Sequence, residues 1–283
     1  MKSVNDMADC IETINGSTIQ HGDHNDRIYL MRLNRNDIAG TLARLADLAV
    51  EKGYGKSFAR IPLDVWPEFK NAGYRKEAVI PDLYRGCVDG LFVARYFSAE
   101  REVLPHAVVK ALRLTKGDRP TRMKPTATPP CPQPVVACNP CDCPEMSRAY
   151  EQVFESYPFP IHDPGYLERM MGQDVFYYAV RANGAIAALA AAEADRDNQS
   201  VEMTDFATLP AWRQYGMAAT LLRHMEKEAR MLGIKTAYTI ARADSPGINR
   251  LFQGNGYRYA GLLINNTQIS GRIQSMSVRY KPL

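Results

Sequence analysis

No long apolar run exists in this 283-residue chain: the longest, Ala185 to Ala192, falls far short of the roughly 18 residues of a membrane span. The polar opening MKSVNDMADC has no apolar core of a signal peptide, so the expected location is cytoplasmic. Charge of one sign is also lacking. Thirty-five basic side chains stand against 31 acidic ones, scattered along the chain, which excludes the basic stripe of a nucleic-acid or membrane-surface binder. Small molecules are the expected partners. Six cysteines are present, but in a reducing compartment they are thiols or metal ligands rather than disulfides.

No regular element can run through Pro120 to Pro144, where eight prolines fall in 25 residues and remove backbone donors. Length alone favours two domains, and this stretch divides them. The expected organisation is a mobile tail over residues 1–25, a small α/β domain over 26–116, a proline-rich linker over 117–132 and a larger α/β domain over 133–283. Four cysteines, Cys131, Cys138, Cys141 and Cys143, lie near the boundary. Four thiolates could close a tetrahedral zinc site, but the spacing is not that of two C-x2-C pairs, and Val135 to Cys138 begins a strand. No metal is expected.

In the second half, periodicity predicts a helix from Glu145 to Tyr157 and strands at Val175 to Val180 and Ala185 to Glu193, with a turn at Asn183-Gly184. A strand at Val201 to Leu209, a helix at Met217 to Leu232 stopped by Gly233, and a strand at Lys235 to Arg242 follow. The apolar stripe Ala218, Leu221, Leu222, Met225, Ala229 and Leu232 on that helix is expected to be core. The first half repeats this order. Ile28 to Leu33, Asp37 to Lys52 with Gly53, and Ser57 to Ile61 precede Phe69-x3-Gly73-Tyr74, which parallels Phe252-x3-Gly256-Tyr257. The reading is a tandem repeat whose N-terminal copy holds only the later half of the unit.

The chemistry is concentrated in the strand-to-helix turn Arg213-Gln214-Tyr215-Gly216-Met217-Ala218. Small residues at a helix N-terminus expose successive N–H groups, the requirement for binding a diphosphate. Between the corresponding strand and helix of the first half lies Asn34-Arg35-Asn36, without glycine, so that copy has no such loop.

Arg213-x-x-Gly216-x-Ala218 after Leu209-Pro210, with Phe252-x3-Gly256-Tyr257 downstream, resembles the GNAT acyltransferase superfamily. The strings VFESYPFPIHDP, EMTDFATLP, TAYTIARA and NNTQISGRIQSMSV resemble its beta-lysine N-acetyltransferases. The resemblance implies a mixed, mostly antiparallel sheet flanked by helices (α/β, or α+β), preceded by a degenerate half-GNAT domain. It implies acetyl transfer from acetyl-CoA to the ε-amine of beta-lysine, giving a compatible solute. The alternatives are acetylation of lysine or a polyamine, and a non-catalytic CoA sensor. It places Arg213 to Ala218 and Asn249 on CoA, and the backbone of Phe206, Ala207 and Thr208 on the pantetheine and the oxyanion.

An ammonium of pKa near 10.4 must lose a proton before attack, which costs about 4 to 5 kcal/mol at pH 7. Glu202 is the candidate base, acting through water, or else a strand-edge glutamate in an ion pair. Asp205 has the opposite strand parity and would share its site only across a bulge. Asp205, Asp163 and His162 are candidates for acceptor binding, although His162 also suits a cap or surface position. At Phe252, where many members place a proton-donating tyrosine, this chain has a side chain that cannot donate. Ser245, Tyr257 or water stay open as the acid. Expected partners are the small amine, a second copy of the chain and, functionally, lysine 2,3-aminomutase.

Overall fold

The computed structural model describes residues 9–115 and 134–283. The expected linker and Cys131 lie outside the described residues. Strands β1 (Cys10–Ile14), β2 (Ser17–Gly22) and β3 (Arg27–Arg32) lead to helix α1 (Ile38–Lys52), β4 (Lys56–Pro62), α2 (Trp66–Asn71), β5 (Arg75–Tyr84) and β6 (Val88–Tyr96). Helices α3 (Ala99–Glu102) and α4 (His106–Thr115) follow. Beyond the gap come β7 (Val135–Ala137), α5 (Cys143–Glu151), α6 (Pro164–Met171), β8 (Val175–Ala182), β9 (Ala185–Asp195) and β10 (Ser200–Thr208). The chain ends with α7 (Met217–Met231), β11 (Thr236–Arg242), α8 (Pro246–Gly254), β12 (Arg258–Ile269) and β13 (Arg272–Pro282). No described helix is long and apolar enough to cross a membrane.

The described strands form one sheet of thirteen, in the order β1-β2-β3-β4-β6-β5-β12-β13-β11-β10-β9-β8-β7. Only β3·β4 and β10·β11 are parallel. Each is the parallel pair of one copy, bridged by α1 or α7, and the rest of the sheet is antiparallel, as expected.

The repeat is visible at atomic detail. Gly53 (φ 72) and Gly233 (φ 76) end α1 and α7 in the left-handed region that glycine tolerates, and each is followed by the same return bond, Tyr54 N to Ala49 O and Ile234 N to Ala229 O. Phe69 meets Tyr74 edge-on at 5.2 Å, and Phe252 meets Tyr257 edge-on at 4.9 Å. The copies join where β5 pairs antiparallel with β12 at Ala78 and Gly261, each four residues beyond its copy's tyrosine. Equivalent strands meeting at equivalent residues give the pairing of a local two-fold axis.

Three expectations are corrected. Residues 10–25 are not a mobile tail. Asn15 (φ 50) and Gly16 (φ 76) form the tight turn of a two-residue hairpin, matching Asn183 (φ 52) and Gly184 (φ 81) between β8 and β9. Buried Ile19 and hydrogen-bonded His21 and Gln20 then hold β2 in the sheet. The N-terminal copy is therefore more than the later half of the unit: β1 to β6 match β8 to β13, and among the described residues β7, α5 and α6 lack counterparts. The helix expected at Glu145 to Tyr157 also stops at Glu151, and Phe154 turns back onto Tyr150.

Helices α1 and α2 cover one face of the first copy, over Ile28, Leu30, Ala59 and Ile61. Helix α7 covers the matching face of the second, over Val201, Met203 and Ala237. The opposite face of the second copy is covered at its β7–β9 end by α5 and α6. The first copy has no such helices. Its opposite face packs instead against the second copy through Phe58, Phe92, Tyr238 and Val278. The sheet curls so that β4 reaches β11 and β9, strands far from it in sheet order, through Arg60 to Tyr238 and Asp195.

Candidate active site

Strands β10 and β11 pair only at Ser200–Glu202 and Thr236–Tyr238, then diverge. The divergence opens a cleft of about 490 Å³, mouth included, lined by Met203 to Phe206 on one side, Thr239 to Arg242 on the other, and Tyr157 and Phe252. Phe206 lines it, and Ala207 and Thr208 continue the strand edge freed from β11. At the end of β10 the chain makes a short turn at Pro210–Trp212 and reaches Gln214 (φ 72) and Gly216 (φ 77), which begin α7.

No side chain caps α7, and its first turn contains no acidic residue. The positive end of the helix dipole and its unpaired N–H groups are therefore open to an anion. Arg213 and Gln214 are exposed there, and Tyr215 and Ala218 half-buried. Met217 is buried in the core, so it offers only its backbone. The first copy differs at the same place. Asp37 caps α1, its Oδ1 accepting from Gly40 N at 2.9 Å, and puts a carboxylate where an anion would bind.

The carboxylates gather on the sheet face opposite α7. Glu202 stands across from Glu193 in the β10·β9 register. Asp205, of opposite parity on a flat strand, joins them because β10 bulges between Thr204 and Ala207, with Asp205 at φ 56. Burial raises the Glu202 carboxyl to about 7, against the lowering effects of the Arg60 charge and a hydrogen bond from Tyr238. Enclosure by protein and the charges of Glu202 and Asp205 hold Glu193 well above the usual carboxylate range, although water reaches its side chain. Burial also raises Asp205, opposed by hydrogen bonds from Tyr157 (2.6 Å) and Thr204 (3.1 Å). A carboxylate cluster of this kind holds protons near neutrality and attracts ammonium groups.

Other expected site residues lie elsewhere. Asn249 is fully buried: Nδ2 donates to Arg242 O and Ser245 O at 2.8 Å, and Oδ1 accepts from Ser277. Its amide fastens α8 to β11 and β13, and the residue is absent from the cleft lining. Asp163 caps α6 through Gly165 N at 2.9 Å and faces Arg169. Neither it nor His162 lines the cleft. Burial lowers the His162 pKa. Ser245 and Tyr257 are also absent from the lining, whereas Phe252 lies in it, edge-on to Phe206 at 5.4 Å. Among the described residues no three metal-ligating side chains converge, and Cys138, Cys141 and Cys143 are free thiols.

Sequence reasoning missed Glu193, Tyr157, Tyr238 and Arg60. Glu193 could have been found, since it shares strand parity with Leu189 and Ala191 on the Glu202 side. Arg60 leaves no local signal, because its partners lie more than 130 residues away.

Comparison with known proteins agrees with this geometry. Residues 144–257 match the acetyltransferase (GNAT) family. The chain is 34% identical over 279 residues to a beta-lysine N(6)-acetyltransferase of Methanococcus maripaludis, covering 95% of this chain and 97% of the relative. It is 31% identical over 262 residues to the protein of the same description in Methanosarcina mazei, covering 86% and 95%. Among solved structures, the ribosomal-protein-S18-alanine N-acetyltransferase of Escherichia coli superposes with a TM-score of 0.47 at 16% identity, over 53% of this chain and 94% of that one.

Proposed function

The chain belongs to the beta-lysine N(6)-acetyltransferases of the GNAT family, and from that premise we propose that it transfers an acetyl group from acetyl-CoA to the distal amine of beta-lysine. Full-length similarity to two relatives of that activity disfavours lysine, a polyamine or a silent CoA sensor as the alternative. The same reading makes the product a compatible solute in osmoadaptation. It also makes the enzyme cytoplasmic and functionally linked to a lysine 2,3-aminomutase, with a homodimer as the expected assembly.

Residues Arg213 to Ala218 would hold the diphosphate of acetyl-CoA at the uncapped start of α7, and the free edge of Phe206 to Thr208 would receive the pantetheine. The fit rests on the open helix end and the positive φ of Gln214 and Gly216. When bound, acetyl-CoA supplies the thioester that the amine attacks. Glu202 takes the ammonium proton, directly or through water. With a pKa near 7 it is both partly ionised and a stronger base than an ordinary carboxylate at neutral pH. Asp205, held by Tyr157, and Glu193 attract the ammonium groups of the acceptor. Phe252 and Phe206 keep one wall of the cleft apolar and give no proton.

The observation that carries this reading is a strand splay lined by Asp205, with Glu202 and Glu193 paired beside it and acting on it through their charges, that ends at an uncapped helix. The test is thiol release from acetyl-CoA across beta-lysine, lysine, spermidine and peptide amines. Release fastest with beta-lysine is expected, and binding of acetyl-CoA without release for any amine would overturn the proposal.

A further inference from the structure

The acidic face of the site is made by the C-terminal copy, while its neutralising cation comes from the other copy. Arg60 on β4 is the cation whose charge acts on both Glu202 and Glu193. It arrives because the sheet curls: Nη1 donates to the Tyr238 hydroxyl, and Tyr238 pairs in register with Glu202. The remaining contact is loose. Nη2 lies 3.5 Å from Asp195 Oδ2, and both oxygens of Asp195 already accept from Asn198, at 3.1 and 2.8 Å. A planar guanidinium favours two parallel bonds to one carboxylate, and among the described residues none gives Arg60 that pairing.

The space around it is open to water. The Arg60 side chain is 16% accessible, and Glu193 is exposed although protein surrounds it. Arg60, bonded to Tyr238 beside Glu202, therefore keeps a path to water at the seam of the two copies. Among the described residues the first copy has no helices corresponding to α5 and α6, and its face there packs on the second copy instead. On the other side, Gln20 Nε2 on β2 donates to Pro158 O at 3.0 Å and ties the first copy to the residue after Tyr157.

We infer that the N-terminal copy, which has no diphosphate loop, forms the second wall of the acceptor pocket, and that its Arg60 binds the carboxylate of an amino-acid acceptor. This rests on beta-lysine as the acceptor. Arg60 is then the residue that favours an amine bearing a carboxylate over a plain diamine, while Glu193 and Asp205 receive the ammonium groups.

The experiment compares beta-lysine with 1,4-diaminopentane, which has the same two amines at the same spacing without the carboxylate. The measured quantity is the ratio of kcat/KM for the two acceptors in wild type, Arg60→Gln and Arg60→Lys. That ratio does not depend on the fraction of folded enzyme. The same base serves both acceptors, so a change in Glu202 ionisation on loss of the Arg60 charge cancels in the ratio. Arg60→Gln is expected to lower the ratio about 30-fold, mostly through KM for beta-lysine, the loss of one charge-assisted pair. Arg60→Lys, which keeps the charge but not the fork, should recover part of it. An unchanged ratio, whether both acceptors fall together or neither falls, would overturn the role of Arg60 while leaving the proposed function standing. A wild-type enzyme inactive on beta-lysine would overturn both.

Discussion

Glu202 and Glu193 occupy directly opposed positions on antiparallel strands β10 and β9. Like charges so placed ordinarily destabilise a sheet. Retaining them, with Asp205 turned toward them by a bulge, puts a proton-binding cluster at the head of the strand splay and makes its ionisation sensitive to neutral pH.

Glu202→Gln should lower kcat/KM for the amine by about 100-fold and remove the rise in rate through pH 7 that ionisation of Glu202 imposes. The pH–rate profile checks this. Stability should move the other way. A carboxyl raised from 4.5 to about 7 on folding contributes stability that is present below the lower value and lost as pH rises through the upper one. The variant should therefore melt above wild type at pH 8, by on the order of 2 kcal/mol, and match it near pH 4.5.

Gly216→Val should weaken acetyl-CoA binding at least tenfold in calorimetry, with the far-ultraviolet spectrum unchanged. The residue holds φ 77 at the start of α7, a conformation costly for a β-branched side chain, and the N–H groups of the first turn would be displaced.

Tyr157→Phe removes the 2.6 Å bond to Asp205 and leaves that carboxyl with Thr204. The expected result is a rise in amine KM of roughly fivefold, consistent with the loss of one hydrogen bond of about 1 kcal/mol, with acetyl-CoA affinity retained. Steady-state kinetics with each substrate varied in turn would separate the two.

Gly261→Ala tests the joint between the copies. A Cβ there would sit 2.2 Å from Glu77 O and 2.5 Å from Ala78 Cα, both backbone atoms. Strong destabilisation in chemical denaturation is expected, above about 3 kcal/mol. Gly271→Ala, at φ 77 with nothing within 4 Å of the added carbon, should cost only about 1 kcal/mol.

Much of the fold is legible locally. The helix stops at Gly53 and Gly233, the Phe-x3-Gly-Tyr corners and the Asn183-Gly184 turn each encode a backbone conformation in a few residues. The matching Asn15-Gly16 turn was equally readable, but the polar residues around it suggested a tail, since β1 is exposed while the pairing partner of β2 comes later in the chain. The Arg213-x-x-Gly216-x-Ala218 loop was legible for the same reason: a helix end presents its own N–H groups.

What the chain determined by itself, then, is the set of turns and caps, the repeat and the uncapped start of α7, all set by neighbours within a few residues. Tertiary structure decided the rest. A bulge turned Asp205 against its parity, packing buried the amide of Asn249, and the curl of the sheet brought Arg60 to Tyr238 across 178 residues. Those outcomes depend on which strands pair and how the sheet bends, and no local stretch of sequence contains both partners.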